Sequence, residues 1–190
     1  MKLVFNVGVN DRKYPAKING KNTKQYNLWK GVIRRCYDEK FHARQPTYLS
    51  CSVSDNFKSY SYFTEWCQFQ VGFGLDGFQI DKDIVHRNNK VYSENTCVFV
   101  PREINTFFCD SRAVRGELPV GVCFHKTHCK YEAYCNVNAK PKYLGLFTTP
   151  EEAYDVYKAF KENLCKELAT KWRGQIDNRV YDAMMTWSVE

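Results

Sequence analysis

Apolar residues recur at helical spacing over residues 25–37, where Tyr26, Trp29, Val32, Ile33 and Cys36 are interleaved with Lys30, Arg34 and Arg35. That period predicts an amphipathic helix with one basic side. Phe57, Tyr60, Phe63, Thr64, Cys67 and Val71 predict a second helix, ended by Gly72, with Gly74 and Gly77 close behind. Ahead of the first helix, Leu3, Val4, Phe5, Val7 and Val9 followed by the turn residues Asp11, Pro15, Asn19 and Gly20 predict a short strand or arm. Over residues 80–105 the pattern shortens to runs of strand length. Residues 78–80 and 96–100 read as strands, Asn88 and Asn89 as a turn, and Pro101 as the opening of a short helix carrying Asn105.

The second half of the chain has a different rhythm. Residues 120–124, 131–137 and 143–147 are strand candidates of alternating or aromatic character, separated by HKTHCK and NAKPK turns. Thr149, Pro150, Glu151 and Glu152 then supply an N-cap, a first-turn proline and two acids suited to a helix N-terminus. Ala153, Val156, Tyr157, Phe160 and Leu164 share one face of that helix, which should pack across the sheet. A further amphipathic helix, broken at Gly174, is expected beyond Thr170. The expected class is α+β: helices leading into a strand–turn–strand–helix segment (1–110), a polar linker (111–118), and a three-stranded antiparallel sheet on a helix with a helical tail (119–190).

Composition adds partners and compartment. A chain of 190 residues with 44% hydrophobic and 16% aromatic residues can build one mid-sized or two small packed domains. The 28 Lys and Arg against 21 Asp and Glu give a net charge of +7, which favours a polyanionic partner such as nucleic acid. Nine cysteines, an odd count, and an N-terminus without an apolar segment of signal-peptide length point to a reduced, cytoplasmic protein. No apolar run approaches the roughly 20 residues of a membrane helix, so no membrane partner is expected. Cys123, Cys129 and Cys135 recur at a constant interval with His125 and His128 among them, but no CxxC pair exists, so a structural zinc is not expected.

Residues 121–159 resemble the AP2 DNA-binding domain, through GVCF, KYEAYCNV and YLGLFTTPEEAYDVY in that order and spacing. The resemblance implies a three-stranded sheet that enters the major groove of double-stranded DNA, with Lys126, Lys130, Tyr131, Tyr134, Asn136, Lys140 and Lys142 as contacts by position. Lys30, Arg34 and Arg35 on the first helix are further candidates for DNA contact. AP2 sheets of plants carry several arginines where this strand region has none, so no base preference is carried over. IDKDI, YSENTCVFVP and EIN, preceded by YNLWKGVIRRCY and FTEWCQFQVGF, resemble the phage-type HNH endonucleases that carry an AP2 domain behind the nuclease. That resemblance implies a ββα element holding one Mg²⁺ or Mn²⁺, a nicking activity of homing-endonuclease type, and a life in the host-cell cytoplasm with a host or phage protein as a further partner. Asp81, Asp83 and Asn105 would hold the metal, and Asn95 would be the orienting carboxamide.

The departure from the HNH pattern falls where the family's acid and histidine stand. Here the strand ends in Asp81, Lys82, Asp83, with no histidine in register. His86 is the nearest candidate for a general base. Lys82 between two carboxylates is favoured in its charged form, which suits a phosphate contact or an ion pair better than a base. Two readings remain: a metal-dependent DNA nickase, or a nuclease-derived scaffold that binds nucleic acid as a regulator or inhibitor.

Overall fold

The computed structural model describes residues 3–109 and 117–189. It is a mixed α+β chain with small sheets. The contacts divide it into two compact units, Met1–Pro101 with Gln175–Asp177, and Arg102–Gly174 with Asn178–Glu190.

In the first unit, strands β1 (Lys17–Ile18) and β2 (Lys21–Asn22) pair antiparallel around Asn19 and Gly20. Both turn residues have positive φ, 50° and 75°, the conformation that two-residue hairpins demand and that Asn-Gly tolerates best. Helix α1 (Lys24–Tyr37) starts at Thr23, whose hydroxyl accepts the Tyr26 N–H, and it ends with Arg34 and Arg35 in the last turn, where cations complement the helix dipole. Its apolar face buries Trp29, Val32, Ile33 and Cys36, and the Trp29 indole N–H finds the Phe57 carbonyl at 2.9 Å. Asp38 accepts the Lys40 N–H and so begins the one-turn helix α2 (Glu39–His42).

Helix α3 (Tyr60–Gln68) is shorter than the apolar spacing predicts. Phe57 lies instead in a 3₁₀ turn (Asn56–Lys58), and Ser59 restarts the chain as an N-cap by accepting the Tyr62 N–H. A serine there can hydrogen-bond the backbone in a way that competes with continuous helix. At Gly72, φ is +86° and a Cβ would lie 2.4 Å from the Phe78 ring, so the close turn into the next strand needs glycine. Strand β3 (Ser52–Val53) pairs parallel with β5 (Val91–Tyr92), and β4 (Phe78–Asp81) pairs antiparallel with β6 (Val98–Pro101). Ile80 faces Phe99 and Asp81 faces Val98 across that ladder. Pro101 closes β6, and α4 (Arg102–Phe107) begins one residue later.

The second unit holds α4 and the sheet β7 (Val122–His125), β8 (Lys130–Val137) and β9 (Lys140–Phe147), antiparallel in that order. Sequence patterning groups residues 102–109 with the first 101, whereas their contacts place them in the second unit, with the sheet and α5. Residues 111–116 of the expected linker lie outside the described residues. Helix α5 (Pro150–Lys171) begins with a reciprocal cap: Thr149 Oγ accepts the Glu152 N–H, and Glu152 accepts the Thr149 N–H. Ala153 and Tyr157 of α5 pack against Ala133 and Cys135 of β8, and α6 (Asn178–Met185) packs against α5. Gly121 has φ +77°, and a Cβ there would sit 2.1 Å from the Tyr157 ring, so the helix rests on bare backbone just ahead of β7. Glu103 of α4 accepts from Lys171 Nζ at 2.6 Å and from the Trp172 indole at 3.0 Å. Among the described residues, no helix is long and apolar enough to cross a membrane.

Candidate functional site

Many of the residues singled out in the sequence lie at two places, one in each unit. In the first, β4 delivers Asp81 to the start of a tight turn. Asp81 Oδ1 accepts the backbone N–H groups of Asp83 at 2.7 Å and Ile84 at 2.8 Å, the way an aspartate caps a turn. Burial pushes its carboxyl above the ordinary value of 3.8, while those two N–H groups pull the other way.

Lys82 turns inward and is 5% exposed. A buried ammonium must have its donors matched, and all three are: Asp83 Oδ1 at 2.6 Å, Asp83 Oδ2 at 2.7 Å and the Asn89 carbonyl at 2.8 Å. Asn89 closes the turn from the far side, donating to the carbonyls of Lys82 and Val91 and accepting the Val91 N–H. So engaged, Lys82 has no lone pair to offer a water molecule; it fastens one end of the turn to the other.

Tyr92, 3% exposed on β5, lies beside this knot with Lys82 Nζ 5.5 Å and the Arg35 guanidinium 5.3 Å from its ring centroid. Burial pushes the Tyr92 phenol well above its usual range. Arg35 Nε is buried without a hydrogen-bond partner, so the ring is the main compensation for that end of the guanidinium. Arg34, the next residue of α1, goes elsewhere: it pairs with Asp38 at 3.1 Å and lies over the Phe41 ring. The two arginines grouped by sequence therefore serve different neighbourhoods, while Lys30 keeps to the half-exposed side of α1.

The remaining candidates of the HNH pattern belong to three different segments. His86 is exposed in the turn, its carbonyl accepting from the Asn89 N–H. Asn95 is exposed at the tip between β5 and β6, in a turn braced by Ser93 and Thr96. Glu94 beside it accepts from Ser54 Oγ and Asn56 Nδ2; burial works against its charge, but these and its backbone hydrogen bond carry its carboxyl below the usual range. Asn105 belongs to α4 and so to the second unit. Among the described residues, no group of three or more His, Cys, Asp or Glu is placed to hold a metal ion.

The second surface is the face of the β7–β9 sheet opposite α5. Register decides which side chains share it. Ala133 and Cys135 face the helix, so Lys130, Glu132, Tyr134 and Asn136 stand on the other side, with Cys123 and His125 opposite Glu132 and Lys130. Tyr134 meets Tyr143 across β8 and β9 with ring centroids 5.4 Å apart, and Tyr143 is 52% exposed. Lys126 lies in the turn before β8, and Lys140 begins β9. Three expected contacts lie on the helix side, Lys140 among them by its pairing with Val137, two residues on from Cys135. Tyr131 packs against the core, and Lys142 Nζ lies 4.6 Å from the Phe160 ring centroid.

Four lysines and one glutamate occur between Val120 and Phe147, so the region is basic; the glutamate, Glu132, has its carboxylate 3.9 Å from His125 Nε2. The constant interval of Cys123, Cys129 and Cys135 is divided by the sheet, since Cys123 is on the outer face, Cys129 is in the turn and Cys135 is in the core. In the first unit Cys36 and Cys97 are buried, and burial above all pushes each thiol up to about 12, which leaves them unreactive packing groups.

The sequence marks Asn89 as a turn residue but not its bonds to Lys82 and Val91, and it marks neither Tyr92 nor Glu94, because these act through backbone and ring contacts between short strands, which no periodicity encodes. Comparison with protein-family models, curated proteins and solved structures gives no match.

Proposed function

We propose that this chain binds double-stranded DNA through the outer face of the β7–β9 sheet, in the manner of an AP2 domain, and that its first unit is an HNH-like scaffold in a nucleic-acid-binding regulator or inhibitor. The observation that carries the reading is the common placement of Lys130, Tyr134 and Asn136 on the face away from α5. A small sheet of this kind fits the major groove, where amide and hydroxyl groups read base edges and lysines meet phosphates. Tyr134→Ala with Asn136→Ala is expected to weaken duplex binding while leaving its salt dependence unchanged, because neither side chain neutralises a phosphate. Full affinity in that double variant would move the DNA surface elsewhere.

The engaged state of Asp81, Lys82 and Asp83 favours binding over cleavage. The second reading, a nickase using Mg²⁺ or Mn²⁺, is supported by the turn that brings Asp81 and Asp83 together at the end of β4, with Asp83 half exposed. Plasmid relaxation in Mg²⁺ or Mn²⁺ separates the two. Binding without relaxation supports the first reading; metal-dependent relaxation abolished by both Asp81→Asn and Asp83→Asn establishes the second.

A further inference from the structure

Where α1 meets α2, Arg34, Phe41, Arg44 and Gln45 line an open cleft of about 280 Å³. Each guanidinium is anchored by its Nε, Arg34 to Asp38 Oδ2 at 3.1 Å and Arg44 to the Lys40 carbonyl at 3.4 Å. Anchoring at Nε leaves the terminal amines, the part of the fork that grips oxyanions bidentately. The Arg34 guanidinium is further fixed over the Phe41 ring, 5.2 Å from its centroid, and Tyr48 braces that ring edge-on at 5.5 Å. Asp38 is the carboxylate paired with Arg34. Asp38 also accepts the Lys40 N–H, and although burial opposes it, Arg34 and that N–H hold its carboxyl below the usual range.

Helix-dipole compensation explains one of these arginines, since Arg34 lies in the last turn of α1. Arg44, just beyond α2, spends only its Nε on that helix's end, through the long bond to the Lys40 carbonyl, and is otherwise exposed. The cleft is not suited to stacking a base, because the Phe41 ring is already covered by Arg34. The fixed guanidinium of Arg34, with that of Arg44 and the Gln45 carboxamide beside it, suits a tetrahedral oxyanion.

We infer that this cleft is a phosphate-binding site, and that the phosphate belongs to the backbone of the nucleic acid held by the sheet. The source of the phosphate rests on the DNA-binding reading given above. It gives the first unit a grip of its own, independent of base sequence.

The test uses the full chain, a fluorescent duplex titrated from low to moderate salt, and Arg44→Gln alone and with Arg34→Gln, with circular dichroism to confirm folding. Arg44→Gln serves as the safe variant, because its side chain makes one long hydrogen bond to a neighbouring turn. The salt slope is expected to lose about 0.9 for each phosphate contact removed, with affinity falling several-fold at low salt, for random and chosen sequences alike. An unchanged slope in the folded double variant overturns the proposal, whatever Tyr134→Ala does. Inorganic phosphate, monitored by NMR at the arginine Nε–H resonances, should shift Arg34 and Arg44 in the wild type. No shift defeats the cleft even if the wild type binds duplex. Shifts in a wild type that fails to bind duplex defeat both the sheet reading and the backbone source, and assign the cleft to free phosphate.

Discussion

At the scale of single residues, Lys82 and Asp81 separate a working nuclease centre from a structural turn. Lys82→Met should cost about 1–2 kcal/mol in denaturant unfolding, because the Asn89 carbonyl loses its donor while the remaining carboxylate, Asp83, is half exposed and can be solvated. A loss above about 3 kcal/mol would mean that Asp83 is left uncompensated in a buried setting. For Asp81 the sign is worked from its raised value. A carboxyl whose folded pKa lies above 3.8 contributes stability below 3.8 and loses that contribution as pH rises through the folded value. Asp81→Asn keeps the Oδ1 acceptor for both backbone N–H groups and removes the buried charge, so its unfolding midpoint at pH 7 should equal or exceed that of the wild type. A lower midpoint would show that the ionised carboxylate stabilises the fold.

At the scale of elements, much of the second unit was legible in sequence. The strands, the Thr149 cap and the apolar face of α5 all obey period and cap chemistry, and each was found within a few residues. What period could not deliver was the side of the sheet on which Lys142 stands, because the ladder passes over Leu144 between Ala133↔Gly145 and Tyr134↔Tyr143 and so resets the alternation of β9. In the first unit the helix-length error at α3 came from Ser59, a cap hidden inside an apolar run. The parallel pair β3 and β5, two residues each, is too short for any periodic signal.

Contacts invisible in the sequence decide how the second unit responds to change. Gly121→Ala should destabilise it by about 2–3 kcal/mol in thermal or denaturant unfolding, combining a positive φ with a methyl forced into the Tyr157 ring. Wild-type-like stability would mean that α5 does not rest on that backbone. Glu103 ties α4 to the end of α5. Burial raises its carboxyl, but Lys171 and Trp172 outweigh it and hold the group below 4.5. A depressed carboxyl contributes stability above 4.5 and loses it as pH falls through the folded value. Lys171 is more than half exposed, so the effect is at most about 1 kcal/mol. The stability gap between wild type and Glu103→Gln should therefore be present at pH 7 and close in acid; a gap independent of pH would assign it to packing.

At the scale of the whole molecule, the net charge of +7 is distributed over two units. Sequence alone suggests a polyanionic partner through charge, and the sheet as its surface through a resemblance to AP2 domains. It offered Lys82 as an ion-pair partner, which it is to Asp83, but not its bond to the Asn89 carbonyl across the turn, because that depends on the burial of Lys82. The central claim is that one face of the sheet, and not the other, meets DNA. Its most direct test is the slope of log affinity against log salt for Lys130→Ala and Lys142→Ala, each against wild type. Lys130→Ala should reduce the slope by about 0.9, as for one phosphate contact, while Lys142→Ala, whose ammonium lies over Phe160 on the helix side, should leave it unchanged. Equal losses from both variants, or none from Lys130→Ala, would contradict the account.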